Sequence, residues 1–99
     1  MAKQITVTEE AYQDIIEIEE YYFGISEILK NKFEKELFKT IEQLSVYPSS
    51  YQVYKIFYRS INLSIFPYKV YYKETKETIL VVAIVHSARG DAFREGKLG

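Results

Sequence analysis

Cysteine is absent from the 99-residue chain. That excludes a disulfide scaffold, a thiolate zinc site, an iron–sulfur cluster and a thiol nucleophile. Histidine occurs once, as His86, so no multi-histidine metal cage fits within one chain. No metal and no cofactor is expected. No apolar run approaches the roughly 20 residues that span a bilayer. The opening stretch MAKQITVTEE carries no signal-peptide h-region, so the expected location is the cytoplasm, with no membrane partner. An excess of either charge is missing too. Thirteen Lys and Arg face 14 Asp and Glu for a net of −1, so the whole chain is not a basic nucleic-acid binder.

What is present is an ordinary globular balance, 47% hydrophobic and 27% charged, which excludes wholesale disorder. The length fits one domain, residues 1–99, with the tail from about residue 90 frayed. Ten Tyr and six Phe supply large rings suited to half-buried sheet surfaces and to interfaces, and equally to plain strand propensity. Charge is unevenly spread. Residues 1–46 hold five Lys against ten acids, a net of −5; residues 47–99 hold eight bases against four acids, a net of +4. The second half therefore has the makings of a basic face.

The hydrophobic period changes along the chain. Gln4 to Thr8 alternates as a short strand. Thr8 is placed to cap a helix whose apolar stripe is Ala11, Ile15, Ile18 and Tyr22, widened by Tyr12 and Ile16, ending near Phe23-Gly24. Ser26 restarts the helical signal. Leu29, Phe33, Leu37, Ile41 and Leu44 form a second stripe with Phe38 beside it, and Glu27, Lys30, Lys32, Glu34, Lys35, Glu36 and Lys39 line the wet side. Tyr47-Pro48 stops this helix. Residues 53–66 then read as one bulged strand or two shorter ones. Pro67 marks a turn, Tyr68 to Lys73 is a strand, Glu74 to Glu77 a hairpin connection, and Thr78 to Val85 an apolar central strand ending at His86. The expected fold is α+β. An N-terminal strand and a two-helix hairpin pack on a small, mostly antiparallel sheet, in the order β-α-α-β-β-β.

One residue series is more specific. It runs Arg59, Leu63, Phe66-Pro67-Tyr68, Val70 and Tyr72, then Ile79 to Val85, then His86-Ser87-Ala88-Arg89. It follows a helical half with Ala11, Asp14, Ile15, Ile18, Tyr21, Phe33, Leu37, Ile41, Leu44 and Pro48. Over roughly residues 3–90 this resembles the RelE/ParE toxins of bacterial type II toxin–antitoxin systems, also called plasmid-stabilisation proteins. The resemblance implies growth inhibition and neutralisation by a cognate antitoxin. It implies one of two activities: inhibition of DNA gyrase, as in ParE-like members, or ribosome-dependent mRNA cleavage, as in RelE-like members. An inactive binding module of the same shape is the third reading.

RNA cleavage through the 2′-hydroxyl needs a base, an acid and cations on the phosphorane. His86 suits either proton role, and Arg59 and Arg89 suit a phosphate clamp. The set His86, Arg59 and Arg89 is catalytic if the protein is a nuclease. Against that reading, the tail aromatic is Phe93, which transfers no proton, and no tyrosine follows His86. Lys55, Arg59, Lys69, Arg89 and Arg94 are the candidate contacts to nucleic acid or to a protein target. Three of the candidates have a plainer role open to them: His86 fixing a turn, Arg59 pairing with a helix acid, Arg89 pairing with Asp91. The sequence leaves the target, the antitoxin's binding mode, the oligomeric state and the strand order open.

Overall fold

The structure, a computed structural model of the chain, describes residues 3–46, 52–55 and 58–89, with backbone alone at 52–55 and at Arg89. Strand β1 (Gln4–Val7) leads into helix α1 (Glu9–Ile25) and helix α2 (Glu27–Val46). Strands β2 (Gln52–Lys55), β3 (Tyr58–Asn62), β4 (Tyr68–Glu74) and β5 (Thr78–His86) follow. The sheet order is β1-β5-β4-β3-β2. The pairs β2–β3, β3–β4 and β4–β5 are antiparallel, while β1 lies parallel to β5. The expected α+β architecture is what forms, and the run from 53 to 66 resolves into two strands and an irregular turn.

The local reasons match the residues. The Thr8 side chain accepts from the Ala11 N–H at the start of α1, with Glu9 and Glu10 in the first turn where the helix dipole favours acids. Ser26 ends α1 and opens α2, its backbone N–H bonding the Tyr22 carbonyl and its hydroxyl accepting from the Leu29 N–H. One residue thus joins the helices, so they turn back on each other as a hairpin. Their buried stripes are Ala11, Ile15, Ile18 and Tyr22 on α1 and Phe33, Leu37, Thr40, Ile41 and Leu44 on α2. The stripes are narrower than the sequence suggests. Tyr12 and Phe38 are each 56% exposed, because a core-facing arc takes only part of a helix circumference.

Both stripes meet one face of the sheet. Phe66 and Tyr68 enter that core on either side of exposed Pro67 and join Tyr22 and Phe33 in a ring cluster. Centroid separations run from 5.1 Å for Tyr22–Phe66 to 6.3 Å for Tyr22–Tyr68. Pairs in this range add about 0.5–1.5 kcal/mol each beyond their buried area.

Strand β5 carries the irregularity that matters most for function. Tyr71 pairs with Ala83 but Tyr72 pairs with Val81, so Val82 is an extra residue in the ladder, a β-bulge. Before it, Ile79 and Val81 face the helices; after it, Ile84 does. Ala83 and Val85 join Tyr71 in a second small cluster instead, with Val82 against it. This switch, with apolar neighbours on both faces, is why residues 79–85 are all apolar.

Candidate functional site

Strand β1 pairs with β5 only as far as Val81. Beyond that point the exposed edge of β5 is met by α1. Asp14 of α1 accepts the Ile84 N–H at 3.0 Å. A cleft of about 530 Å³ lies between the helix and the strand at this contact. Asp14, Glu17, Ile18, Tyr21 and Tyr22 line it from α1, Pro67 and Tyr68 from the turn before β4, and Ile84, Val85 and His86 from β5. Residues 14, 17, 18, 21 and 22 share one helix face because they recur at three- and four-residue steps.

His86, half-buried, lines this cleft. Its ring lies edge-on to Tyr68, centroids 5.2 Å apart. Its Nδ1 accepts the Ala88 N–H at 3.0 Å, which leaves Nε2 to carry the proton in the neutral imidazole. The turn that follows, Ser87–Arg89, is tied back by the Ser87 N–H to the Pro67 carbonyl. Holding the turn at the end of β5 is thus one job of His86.

The basic candidates lie elsewhere. Arg59 pairs across β3–β4 with Tyr72, whereas His86 pairs across β4–β5 with Tyr68. Four residues along β4, about 13 Å, and opposite flanking strands separate them. The structure does not bring Arg59 and His86 together. Arg59 instead meets Glu74 of β4, Nε to Oε1 at 3.9 Å, and Lys3 Nζ reaches the other oxygen of Glu74 at 2.7 Å. Its partner is therefore a strand acid, not the helix acid considered from sequence. Lys69 pairs with Val85 in the ladder and belongs to the face turned from the helices. Lys55 closes β2 and Arg89 closes the turn after β5, both described by backbone alone. Arg94, Asp91 and Phe93 lie outside the described residues.

Two carboxylates have roles that sequence reasoning missed. Glu36, read as part of the wet face of α2, accepts the backbone N–H groups of Ile65 and Phe66. It braces the turn whose Pro67 borders the cleft. Asp14 braces β5 just after its bulge. A usable signal existed for Asp14, which stands three residues after fully buried Ala11 and four before Ile18, on the core stripe. None existed for Glu36, since its partners are backbone groups some thirty positions away.

Among the described residues no lysine or arginine lines the His86 cleft, and no group of three or more His, Asp or Glu is arranged to hold a metal. Nor is any helix there long and apolar enough to cross a membrane. The described lining offers carboxylates, phenols and one imidazole, a set that attracts hydrogen-bond donors and cations and repels phosphate.

Residues 5–90 match the family model described as the ParE toxin of the type II toxin–antitoxin system, parDE. The chain belongs to the ParE toxin family. Its fold is also similar to a solved structure, a chromosomal ParDE toxin–antitoxin system from P. aeruginosa. The TM-score is 0.76 at 15% sequence identity, over 86% of this chain and 96% of that one. At that identity the likeness speaks for the fold. No curated protein sequence matches significantly. Relative to the ParE pattern of strand, helical hairpin and antiparallel sheet, the elements that build the cleft, α1, the Pro67 turn and β5, all lie within the matched residues.

Proposed function

We propose that the protein inhibits growth by binding a protein target, DNA gyrase in the cytoplasm, and is neutralised by an antitoxin encoded beside it. On a plasmid, such a pair would stabilise its carrier. The observation that carries this reading is the match to the ParE toxin family over residues 5–90. The site chemistry supports it. His86 has no described cation beside it, Arg59 lies four β4 residues along and on the opposite flanking strand, where it meets Glu74, and a nuclease needs those groups on one phosphate. Lys55, Arg59, Lys69, Arg89 and Arg94 are the proposed target contacts.

Purified protein added to a supercoiling assay tests the reading directly. Gyrase activity is expected to fall, and mRNA on translating ribosomes is expected to stay intact. His86→Ala should keep its toxicity, whereas Arg59→Ala and Arg89→Ala should lose it while melting within a few degrees of wild type. If mRNA is cleaved, and cleavage falls on the order of 10²–10⁴-fold in His86→Ala, the endonuclease reading replaces this one. Induced expression that never slows growth would leave only a binding module of toxin shape.

A further inference from the structure

The cleft beside His86 holds a buried tyrosine whose hydroxyl finds no partner among the described residues. Tyr22 is only 8% exposed, packs its ring against Tyr21, Phe33, Phe66 and Tyr68, and lines the cleft. Its hydroxyl makes no hydrogen bond to a described residue. Buried phenols are normally hydrogen-bonded, because a buried polar group without a partner forfeits its hydration for nothing in return. The cleft is where a partner would have to come from.

The lining says which chemistry fits. Glu17 stands at the exposed rim, one turn from Tyr21, and Asp14 lies deeper. Helix α1 carries Glu9, Glu10, Asp14, Glu17, Glu19 and Glu20 and no lysine or arginine, so its field draws cations toward this wall. The rings of Tyr21, Tyr22 and Tyr68 offer aromatic surface. A planar guanidinium uses all three features at once. It donates to a carboxylate as a fork, donates to a phenol oxygen, and stacks on aromatic faces, where an ammonium supplies only a point charge.

We propose that this cleft seats an arginine side chain of the antitoxin, with Tyr22 and Glu17 as its hydrogen-bond acceptors. The identity of the protein that supplies the arginine rests on the toxin–antitoxin reading above; the guanidinium site does not. Charge complementarity favours a basic segment docking along α1, on the wall opposite in sign to the proposed target-contact residues.

Two arms test it. In the first, NMR shifts of the protein are followed while Nα-acetyl-arginine amide is added, and separately the lysine and citrulline amides. Saturable shifts centred on Tyr21, Tyr22 and His86 are expected with arginine, weaker ones with lysine and none with uncharged citrulline. No response to arginine, or an equal response to citrulline or lysine, overturns the guanidinium site. In the second arm, the product of the neighbouring reading frame is titrated against wild type, Tyr22→Phe and Glu17→Gln. Each variant should bind on the order of tenfold more weakly, the size of one lost hydrogen bond to a charged group. Tyr22→Phe should nevertheless melt no lower than wild type, since its hydroxyl bonds no described residue. Equal affinities overturn the antitoxin as the source while leaving the toxin–antitoxin pairing intact. Failure of the neighbouring product to bind wild type removes the pairing itself, and with it the antitoxin as the arginine's source. A marked drop in the melting point of Tyr22→Phe shows that the phenol was already engaged and overturns the proposal.

Discussion

The two ends of β4 make an instructive pair. At the Glu74 end, Lys3 and Arg59 converge on one carboxylate, and each side chain keeps about a quarter of its surface exposed. At the Tyr68 end, His86, Tyr22 and the α1 carboxylates surround a cleft in which no described cation answers them. Among the described residues the first end is electrically closed, and the second, lined by no lysine or arginine, is open. The +4 and −5 halves of the sequence suggest a positive end and a negative end. Folding interleaves them instead, because β1 carries Lys3 from the acidic half beside β5, and the α1 acids flank the last residues of the basic half's central strand. A charge split along a chain becomes a charge split in space only if the topology keeps the halves apart.

Substitutions test the difference between the two ends. The largest effect is expected beneath the open end, where Phe33 is fully buried among Tyr22, Phe66 and Tyr68. Phe33→Ala should cost about 3–5 kcal/mol in denaturant melts, as buried aromatic truncations do. A loss under about 1 kcal/mol would show that the ring cluster does not support the cleft. Next comes Asp14→Ala, which deprives the partly buried Ile84 N–H of its acceptor. It should cost about 1–3 kcal/mol and speed amide exchange at Ile84. Unchanged exchange would mean that α1 does not brace β5. At the closed end, Glu74→Gln weakens two ion pairs on a wet surface, and its cost should stay below about 1 kcal/mol. A larger cost would make Glu74 the keystone of that end, reversing the comparison.

The smallest effect lies between the helices. Partial burial, then a hydrogen bond and repulsion from Glu34, push the Glu19 carboxyl up from 4.5 to about 7, against the opposing pull of Lys30. Glu34 is held below its usual value by the Glu19 hydrogen bond and by Lys30, which it also meets in an ion pair at 3.1 Å. Between about pH 4.5 and 7 the folded chain thus retains a proton at Glu19 that the unfolded chain has lost, so this group's contribution to stability falls as pH rises through that window. Glu34 acts in the opposite sense at lower pH, its contribution being lost as pH falls through its depressed value. Thermal melts should therefore show wild type losing ground to Glu19→Gln between pH 5 and 8. Parallel melting curves across that range would refute the shared proton.

The helical half was legible in the sequence because its signals are local. Thr8 and Ser26 cap where they were expected to, and Phe33, Leu37, Ile41 and Leu44 are buried as their spacing demands. The series from Arg59 through Phe66-Pro67-Tyr68 to His86 led to the right family. Long-range placement was not legible. Arg59 and His86 both lie on strands of the second half, yet only the order and register of those strands decide that they stand apart. Glu36 and Asp14 reach backbone groups, which leave no mark on the residue types of their partners. Tyr22 looks in sequence like one more stripe residue, and only its surroundings show a hydroxyl with no partner among the described residues.

The bulge at Val82 bears on how family members are compared. Side chains alternate along a strand, so one extra residue reverses which face every later position serves. His86 borders the α1 cleft on the far side of that extra residue. In a relative whose last strand runs straight, the residue aligned with His86 by plain counting would serve the other face, and the equivalent of His86 would sit one place earlier. At 15% identity an alignment gives no warning of such a slip. Equivalences at the end of this strand therefore have to be counted from the bulge, not from the chain terminus, before a residue's presence or loss is taken as a sign of activity.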